Sequence, residues 1–209
     1  MIGRIFISGL AGIAFCLLGL VSCRERERVW EPAELPTDLF QDGDLVFRRG
    51  MGFTSRVVLA ADRDGAYSHV GILKRIDGKW CVIHAVPGEP DYQGDKDRVK
   101  VDAVETFFSR TRAANGAVMR VKKAPEQARR AAERALALAR AGVLFDHDYD
   151  LTDTAQMYCT ELIEFVYKKG GIDLLEGRLS KINIPLFNGD YLLPCDIAQS
   201  GKLCLIYKF

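Results

Sequence analysis

The chain has 209 residues, of which 48% are hydrophobic, 10% aromatic and 27% charged. These proportions are those of a globular protein, and they exclude a disordered, collagen-like or coiled-coil chain. The formal net charge is only +1, so the charge balance favours neither nucleic acid nor a polycation as a partner.

The first 22 residues have the pattern of an export signal. One charged residue, Arg4, precedes an apolar run over residues 5–22. A basic start, a short apolar stretch and small residues before a cleavage site are typical of a secretory signal peptide. The run ends in LVSC, which resembles the bacterial lipobox, where cleavage precedes a cysteine that carries a diacylglycerol. We therefore predict a lipoprotein signal peptide over residues 1–22 and lipidation at Cys23, with an uncleaved membrane anchor as the alternative.

Residues 23–42 are predicted to hold the lipidated cysteine and a linker, because the stretch is charged and then rich in proline and acidic residues. Arg24 stands where an aspartate is associated with retention of lipoproteins in the inner membrane. We therefore expect a lipid-anchored protein of the bacterial cell envelope, in the outer membrane facing the periplasm if the source has two membranes. The folded domain is predicted to span residues 43–209.

Hydrophobic periodicity and turn residues predict the elements of this domain. A proline at its start and a glycine after its end mark the longest helix, over residues 125–141. The alanine-rich face of this helix indicates close packing on a sheet. The mixture predicts an α+β domain with a mainly antiparallel sheet. Strands are predicted at 44–49, 67–76, 79–86, 98–101, 117–121 and 202–209, and helices at 53–61, 104–110, 125–141 and 159–169.

Two of the three histidines lie on one predicted hairpin. Asp77-Gly78 is a strong two-residue turn between its strands. Around this turn, position i pairs with about 155 − i, so His69 faces a position two residues from His84. Residues two apart share a face of a strand, so we expect the two imidazoles on the same side, within hydrogen-bonding reach.

Cys159 begins a predicted helix. The nucleophilic form of cysteine is the thiolate, which a helix N-terminus and a neighbouring imidazolium both stabilise. His69 is the candidate partner of this thiol, and His84 is a candidate for the third member of a triad, which holds the base in the required tautomer.

Three segments in this order carry a family resemblance: GDLVF at 43–47, SHVGI at 68–72 and YCTEL at 158–162. They resemble the YiiX/YebB-like hydrolases, a circularly permuted branch of the NlpC-type papain-like cysteine peptidases. The resemblance implies a permuted papain-like fold, Cys159 as nucleophile and His69 as general base. In this branch the third polar residue is often a glutamate; here that position is His84, as in the lecithin:retinol acyltransferase-like group. Both the orienting residue and the substrate class stay open for that reason.

Further residues are predicted to bind the substrate. Tyr158 and Ser68 flank the proposed nucleophile and base, and the Cys159 backbone N–H is the expected oxyanion donor. The resemblance places the segment around Tyr149 at the lip of the cleft, where Asp148 or Asp150 would contact a substrate amine. A solvated loop is the alternative for these two aspartates, and Glu161 is expected to be structural.

We therefore predict a membrane-tethered cysteine hydrolase of amide bonds, including peptidoglycan-derived peptides, or of ester bonds. It would need neither metal nor organic cofactor, and its partners would be a small substrate and the membrane, not nucleic acid. A lipid acyltransferase or esterase and a non-catalytic ligand-binding lipoprotein are the alternatives. Two histidines and a cysteine are also zinc ligands, but the paired spacing of a zinc site is missing.

Six cysteines at first suggest a disulfide framework, but two of them lie in the N-terminal segment. An exported protein can form disulfides among the other four, although four cysteines do not reveal their pairing. A Cys195–Cys204 disulfide, which would tie down the last strand, is one expectation.

Overall fold

The computed structural model describes residues 35–62, 65–184 and 187–209. The predicted signal peptide, Cys23 and most of the linker lie outside these residues. Within the described part of the chain, no helix combines the length and apolar character needed to cross a bilayer.

A six-stranded antiparallel sheet forms the centre of the fold. Its strands are β1 (Leu45–Gly50), β2 (His69–Ile76), β3 (Lys79–Val86), β4 (Arg98–Ala103), β5 (Ala113–Val121) and β8 (Leu203–Lys208). Their spatial order is β4-β3-β2-β1-β5-β8, and every neighbouring pair is antiparallel. A separate hairpin consists of β6 (Ser180–Ile184) and β7 (Phe187–Tyr191).

Five α-helices in the described residues accompany the sheet, and the predicted α+β class with a mainly antiparallel sheet is confirmed. Residues 53–61 and 79–86 form the predicted helix and strand without change. The β6–β7 hairpin and the fifth helix were not predicted, because short segments of mixed polarity carry little periodic signal. The helices are α1 (Phe53–Ala61), α2 (Val104–Phe107), α3 (Pro125–Arg140), α4 (Cys159–Lys168) and α5 (Pro194–Ala198).

Helices α3 and α4 cover one face of the sheet. The buried face of α3 consists of four alanines, as its sequence predicted. Small side chains let the helix approach closely, and Gly43 before β1 shows how closely. This residue has φ +90°, and a Cβ on it would overlap the Ala128 carbonyl group, so only glycine fits. The sheet contributes mainly leucine, isoleucine, valine and phenylalanine, including Leu45, Phe47, Val70, Ile72 and Ile83.

The opposite face of the sheet has a smaller apolar cluster beneath α2. Phe107 of α2 is fully buried among residues from the sheet and from the segment before β1, namely Phe40, Val46, Leu73, Val82 and Val118. Because side chains alternate along a strand, His69 and His84 point to this face, while Val70 and Ile83 point to the other.

Helix α4 begins at Cys159 without a capping side chain at Tyr158, the residue before it. Glu161, in the third helical position, instead accepts a hydrogen bond from the Tyr158 backbone N–H. Glu161 is buried, and its Oε2 has no hydrogen-bond partner among the described residues. Burial, with a smaller contribution from nearby aspartates, raises the pKa of Glu161 to about 7.

Glu161→Gln is expected to stabilise the fold above pH 7 and to change little near pH 4.5, where the glutamate is largely protonated in the folded state. The folded pKa exceeds the unfolded one, so the wild type loses stability as the pH rises between these values. Glutamine keeps the acceptor for Tyr158 without a buried charge. Thermal melting across this range measures the effect. Glu133→Gln, on the exposed face of α3, is the control, and equal pH dependence in the two variants would contradict the prediction.

Candidate active site

The two histidines of the β2–β3 hairpin form a direct hydrogen bond. The strands pair with the predicted register, since Ile72 lies opposite Ile83 and Ile76 opposite Lys79. Asp77 and Gly78 both have positive φ, as a two-residue hairpin turn requires. His69 Nε2 lies 2.8 Å from His84 Nδ1, and both rings are buried against Phe107. The predicted juxtaposition of the imidazoles is therefore confirmed.

A carboxylate on β4 extends this pair. His84 Nε2 lies 3.3 Å from Asp102 Oδ2, and His84 is fully buried. Asp102 is also buried, and it pairs with two cations: Lys100 Nζ at 3.2 Å and Arg112 Nη1 at 2.6 Å. Burial alone would raise the pKa of Asp102, but the hydrogen bond from His84 and the charge of Lys100 hold that pKa well below its usual range. Asp102 is therefore an ionised carboxylate at the end of the histidine pair.

A buried arginine lies on the other side of His69. Arg48, which is 3% exposed, pairs with Glu89 and donates a hydrogen bond to the Phe107 carbonyl oxygen at 3.0 Å. Its guanidinium lies over the Phe107 ring, 4.6 Å from the centroid. Burial lowers the pKa of His69 well below its usual value, and the charge of Arg48 lowers it further. Burial also lowers the pKa of His84, against the opposing effect of Asp102. Both imidazoles are therefore neutral at physiological pH.

The Cys159 thiol lies at the N-terminus of α4, beside the start of β2. The backbone N–H groups of Val70, Thr160 and Cys159 lie close enough to its sulfur to lower the pKa of the thiol. Val70 directly follows His69, so the sulfur and the proposed base come from neighbouring points of the fold. Burial outweighs the three N–H groups and raises the pKa of Cys159 to about 11. The resting site therefore holds a neutral thiol in the same cavity as the neutral imidazole of His69.

One cavity of about 580 Å³ contains both candidate groups. It lies at the end of the sheet, where β1 ends and β2 begins, so groups from both faces reach it. His69 and Cys159 line it together with Arg48, Arg112 and Glu89. Its other walls are largely apolar and aromatic, among them Met51, Phe53, Val58, Phe145, Tyr149, Tyr158, Leu193 and Pro194.

Two of the predicted substrate-binding residues line this cavity. Tyr158 is buried in its wall, where its phenol oxygen accepts the Leu192 N–H at 3.4 Å. Ser68 Oγ accepts the Gly50 N–H at 2.8 Å and so holds the end of β1 at the cavity edge. In both cases the polar atom already has a structural partner.

Asp148 and Asp150 are not brought to the cavity. Both are exposed, and Asp150 accepts hydrogen bonds from Thr152. The buried Asp146 accepts the backbone N–H groups of both residues and so folds the loop. Tyr149 between them has φ +56° and lines the cavity instead. The prediction of this segment as a cleft lip thus applies to the tyrosine, and the placement of the two aspartates corresponds to the solvated loop.

Sequence reasoning missed the charged residues behind the histidines, namely Arg48, Glu89, Lys100, Asp102 and Arg112. The predicted strand ended at residue 101, one residue short of Asp102. Alternation along that strand does place residues 100 and 102 on the same face, which is the signal that was available. On an edge strand, two charged residues resemble a solvent-facing side. Here both are buried, because Lys100 contacts Glu89 and Asp91 of the β3–β4 loop and Asp102 contacts Arg112.

The expected Cys195–Cys204 disulfide is wrong. All four cysteines in the described part of the chain are free thiols. Cys204 Sγ lies 3.4 Å from the Arg120 carbonyl oxygen of the adjacent strand, whereas Cys195 contacts Ser180. The β5–β8 pairing, rather than a covalent bond, holds the last strand in place.

The fold is similar to a solved structure, the crystal structure of the metalloprotein yiiX from Escherichia coli O157:H7. The two share 21% sequence identity with a TM-score of 0.64, over 81% of this chain and 97% of that one. Among curated proteins, none matches the chain significantly.

The solved yiiX structure is described as that of a metalloprotein. Across residues 35–62, 65–184 and 187–209, no group of three or more His, Cys, Asp or Glu side chains is arranged to hold a metal ion. The third histidine, His147, is exposed and lies 3.3 Å from Asp97, in an ion pair only when protonated. The described residues therefore do not fit a metal site.

A large part of the chain matches a known protein family. Residues 39–185 match the family described as permuted papain-like amidase enzymes, YaeF/YiiX, C92. The match covers most of the chain and includes β1 to β5, α3 and α4, and thus both histidines and Cys159. It agrees with the resemblance in the three sequence segments and with the similarity to yiiX. The chain therefore belongs to the C92 family of permuted papain-like amidases and is, in general terms, an amide hydrolase.

Proposed function

We propose that this protein is a membrane-tethered cysteine amidase that cleaves its substrate through an acyl-enzyme at Cys159. The observation that carries the proposal is the placement of the Cys159 sulfur at the Val70 N–H, in the same cavity as His69, which directly precedes Val70 in sequence. Covalent catalysis of this kind uses a nucleophile, a base and a third group that orients the base.

In the proposed reaction, His69 accepts the thiol proton as the sulfur attacks the substrate carbonyl carbon. The backbone N–H of Cys159 stabilises the developing oxyanion, because the first N–H groups of a helix have no partner within that helix. The imidazolium then donates its proton to the leaving amine, and a thioester remains. Water, deprotonated by His69, releases the acid and restores the thiol.

The proton transfer starts from neutral partners. Burial disfavours both the thiolate and the imidazolium when each forms alone, but a transfer between them creates two opposite charges side by side. The pair therefore ionises as a unit, when the substrate has displaced water from the cavity. Peptide amides of the cell envelope, including peptidoglycan fragments, are the substrates that the proposed location would supply.

Cys159→Ala is expected to lower the rate of amide cleavage by about 10⁴-fold or more, because the acyl-enzyme can no longer form. Intact mass after exposure to p-nitrophenyl acetate, an activated ester, should show one acetyl group on the wild type and none on the variant. Cys204→Ala, a thiol outside the cavity, is the control that should be acetylated like the wild type. Full activity in Cys159→Ala, or equal acetylation of both, would leave a non-catalytic ligand-binding protein as the better description.

Alkylation of Cys159 by iodoacetamide is expected to accelerate with pH from neutrality toward about 11, the pKa of the thiol. Only the thiolate reacts, and its fraction rises about tenfold for each pH unit below the pKa. Peptide mapping of the labelled site at each pH measures the rate. A plateau that is already reached in mild acid would instead indicate a preformed thiolate–imidazolium pair.

An esterase or acyltransferase acting on lipids is the second candidate, and the apolar rim of the cavity favours it. Met51 and Phe53 line the cavity while their side chains remain largely in solvent, with Phe53 83% exposed. Such residues suit the hydrocarbon part of a substrate. Turnover of a lipid ester by the wild type, without turnover of muropeptides, would support this candidate over the amidase.

The tether is proposed from the sequence alone, through a diacylglycerol on Cys23. Cys23→Ser is expected to remove metabolic labelling by a radioactive fatty acid. Two acyl chains anchor a protein stably, whereas none leaves only weak surface contacts. Cys16→Ser, within the predicted signal peptide, is the control that should keep the label. A membrane-bound wild type that carries no label would indicate an uncleaved anchor instead.

A further inference from the structure

We infer that Asp102 is a positioning residue that sets the tautomers of both His84 and His69 and thereby leaves a bare nitrogen on His69 for the Cys159 proton. The inference rests on the proposed function, because it assigns a role within the same site. It depends on the order of contacts from β4 to β2: Asp102 to His84 at 3.3 Å, and His84 to His69 at 2.8 Å.

The first step is the charge on Asp102. An ionised carboxylate has no proton to donate and can only accept hydrogen bonds. Lys100 faces Oδ1 at 3.2 Å, while Arg112 and His84 face Oδ2 at 2.6 and 3.3 Å. Three donors thus surround two acceptor oxygens, and this arrangement is satisfied only when Asp102 is ionised. The His84 Nε2 must therefore carry a proton.

The second step extends the assignment of the ring proton from His84 to His69. Both imidazoles are buried and neutral, so each holds a single ring proton. With its proton on Nε2, His84 has a bare Nδ1, which accepts a hydrogen bond from His69 Nε2. The proton of His69 is therefore on Nε2, and its Nδ1 is bare. This Nδ1 is the nitrogen available as the base.

The opposite set of tautomers would disable the base. With a proton on His84 Nδ1, the hydrogen bond between the rings reverses, His69 Nε2 becomes the acceptor and His69 Nδ1 is protonated. The two sets are equivalent for an isolated pair of imidazoles, and only the acceptor at His84 Nε2 distinguishes them. When the Cys159 S–H bond breaks and the Nδ1–H bond of His69 forms, His84 and Asp102 continue to accept the same protons and stabilise the imidazolium.

The surroundings of Asp102 hold this arrangement in place. Arg112 also pairs with Glu89 at 2.9 Å, and Glu89 in turn pairs with the buried Arg48. Phe107 packs against both imidazole rings and so restricts their rotation. The carboxylate is therefore fixed on the side away from His69.

Nitrogen-15 NMR of the full-length protein with labelled histidine tests the inference, because protonated and bare ring nitrogens have distinct chemical shifts. The chain has only three histidines, and exposed His147 serves as an internal reference. We expect protons on Nε2 of both His69 and His84 in the wild type. In Asp102→Asn, whose amide can donate to His84, we expect a substantial population with protons on Nδ1. The rate of acetylation by p-nitrophenyl acetate should fall by at least about 10- to 100-fold, the loss seen when the partner that orients a metal-binding histidine is removed.

Asp91→Asn is the matched control. Asp91 also pairs with Lys100, but it is partly exposed and does not contact either histidine of the pair. It should keep the wild-type tautomers, which separates loss of the His84 acceptor from loss of a partner for Lys100. A wild type with the proton on His84 Nδ1, or an Asp102→Asn protein with unchanged tautomers, would overturn the inference. Even if Asp102→Asn does not fold, the wild-type spectrum alone tests the assigned positions of the ring protons.

The prediction of the tautomers can fail independently of the proposed function. If Cys159→Ala retains activity, the proposed function is wrong while the ring protons still report on Asp102. If Cys159→Ala is inactive and the tautomers do not depend on Asp102, the enzyme assignment stands and Asp102 only supports the fold.

Discussion

The register between β2 and β3 is the constraint on which the site depends. Side chains alternate along each strand, so a shift by one residue would turn either His69 or His84 to the opposite face of the sheet. The two-residue turn at Asp77-Gly78 sets this register, because its positive φ angles match the twist of an antiparallel hairpin. The hydrogen bond between the imidazoles is therefore a consequence of a turn at the far end of the hairpin from the proposed base.

Burial then determines the chemistry that this pair can perform. An imidazole in water is partly protonated near neutral pH, but the apolar cover from Phe107 and the sheet removes the solvation of its charged form. The same cover makes Asp102 and Arg48 costly to bury unless each has an opposite charge beside it. The chain meets this requirement by pairing Asp102 with Lys100 and Arg112, and Arg48 with Glu89. The two histidines beside these ion pairs stay neutral.

The sequence predicted most of the fold and part of the site. The hairpin, the helix at 53–61 and the alanine-rich α3 carry strong local signals, in turn residues, apolar periodicity and end residues. The β6–β7 hairpin carries little such signal, because its two strands are short and of mixed polarity. In the site, the pairing of β2 with β3 was enough to place the two histidines. Asp102 also required the pairing of β3 with β4, and the predicted strand ended one residue before it.

The position of Cys159 shows where sequence and structure divide. Its location at the start of a helix follows from the apolar period after it and from the glycines that end α4. Its contact with the Val70 N–H does not, since it joins residues far apart in the chain through the packing of α4 on the sheet. The same holds for the buried charges around Asp102 and for Tyr149, whose ring enters the cavity instead of the neighbouring aspartates. By itself, the sequence determined most of the elements, the hairpin register and the candidate nucleophile and histidines, because these depend on residues close together along the chain. Only the tertiary structure decided which groups meet and which are buried, because desolvation depends on elements that are distant in sequence.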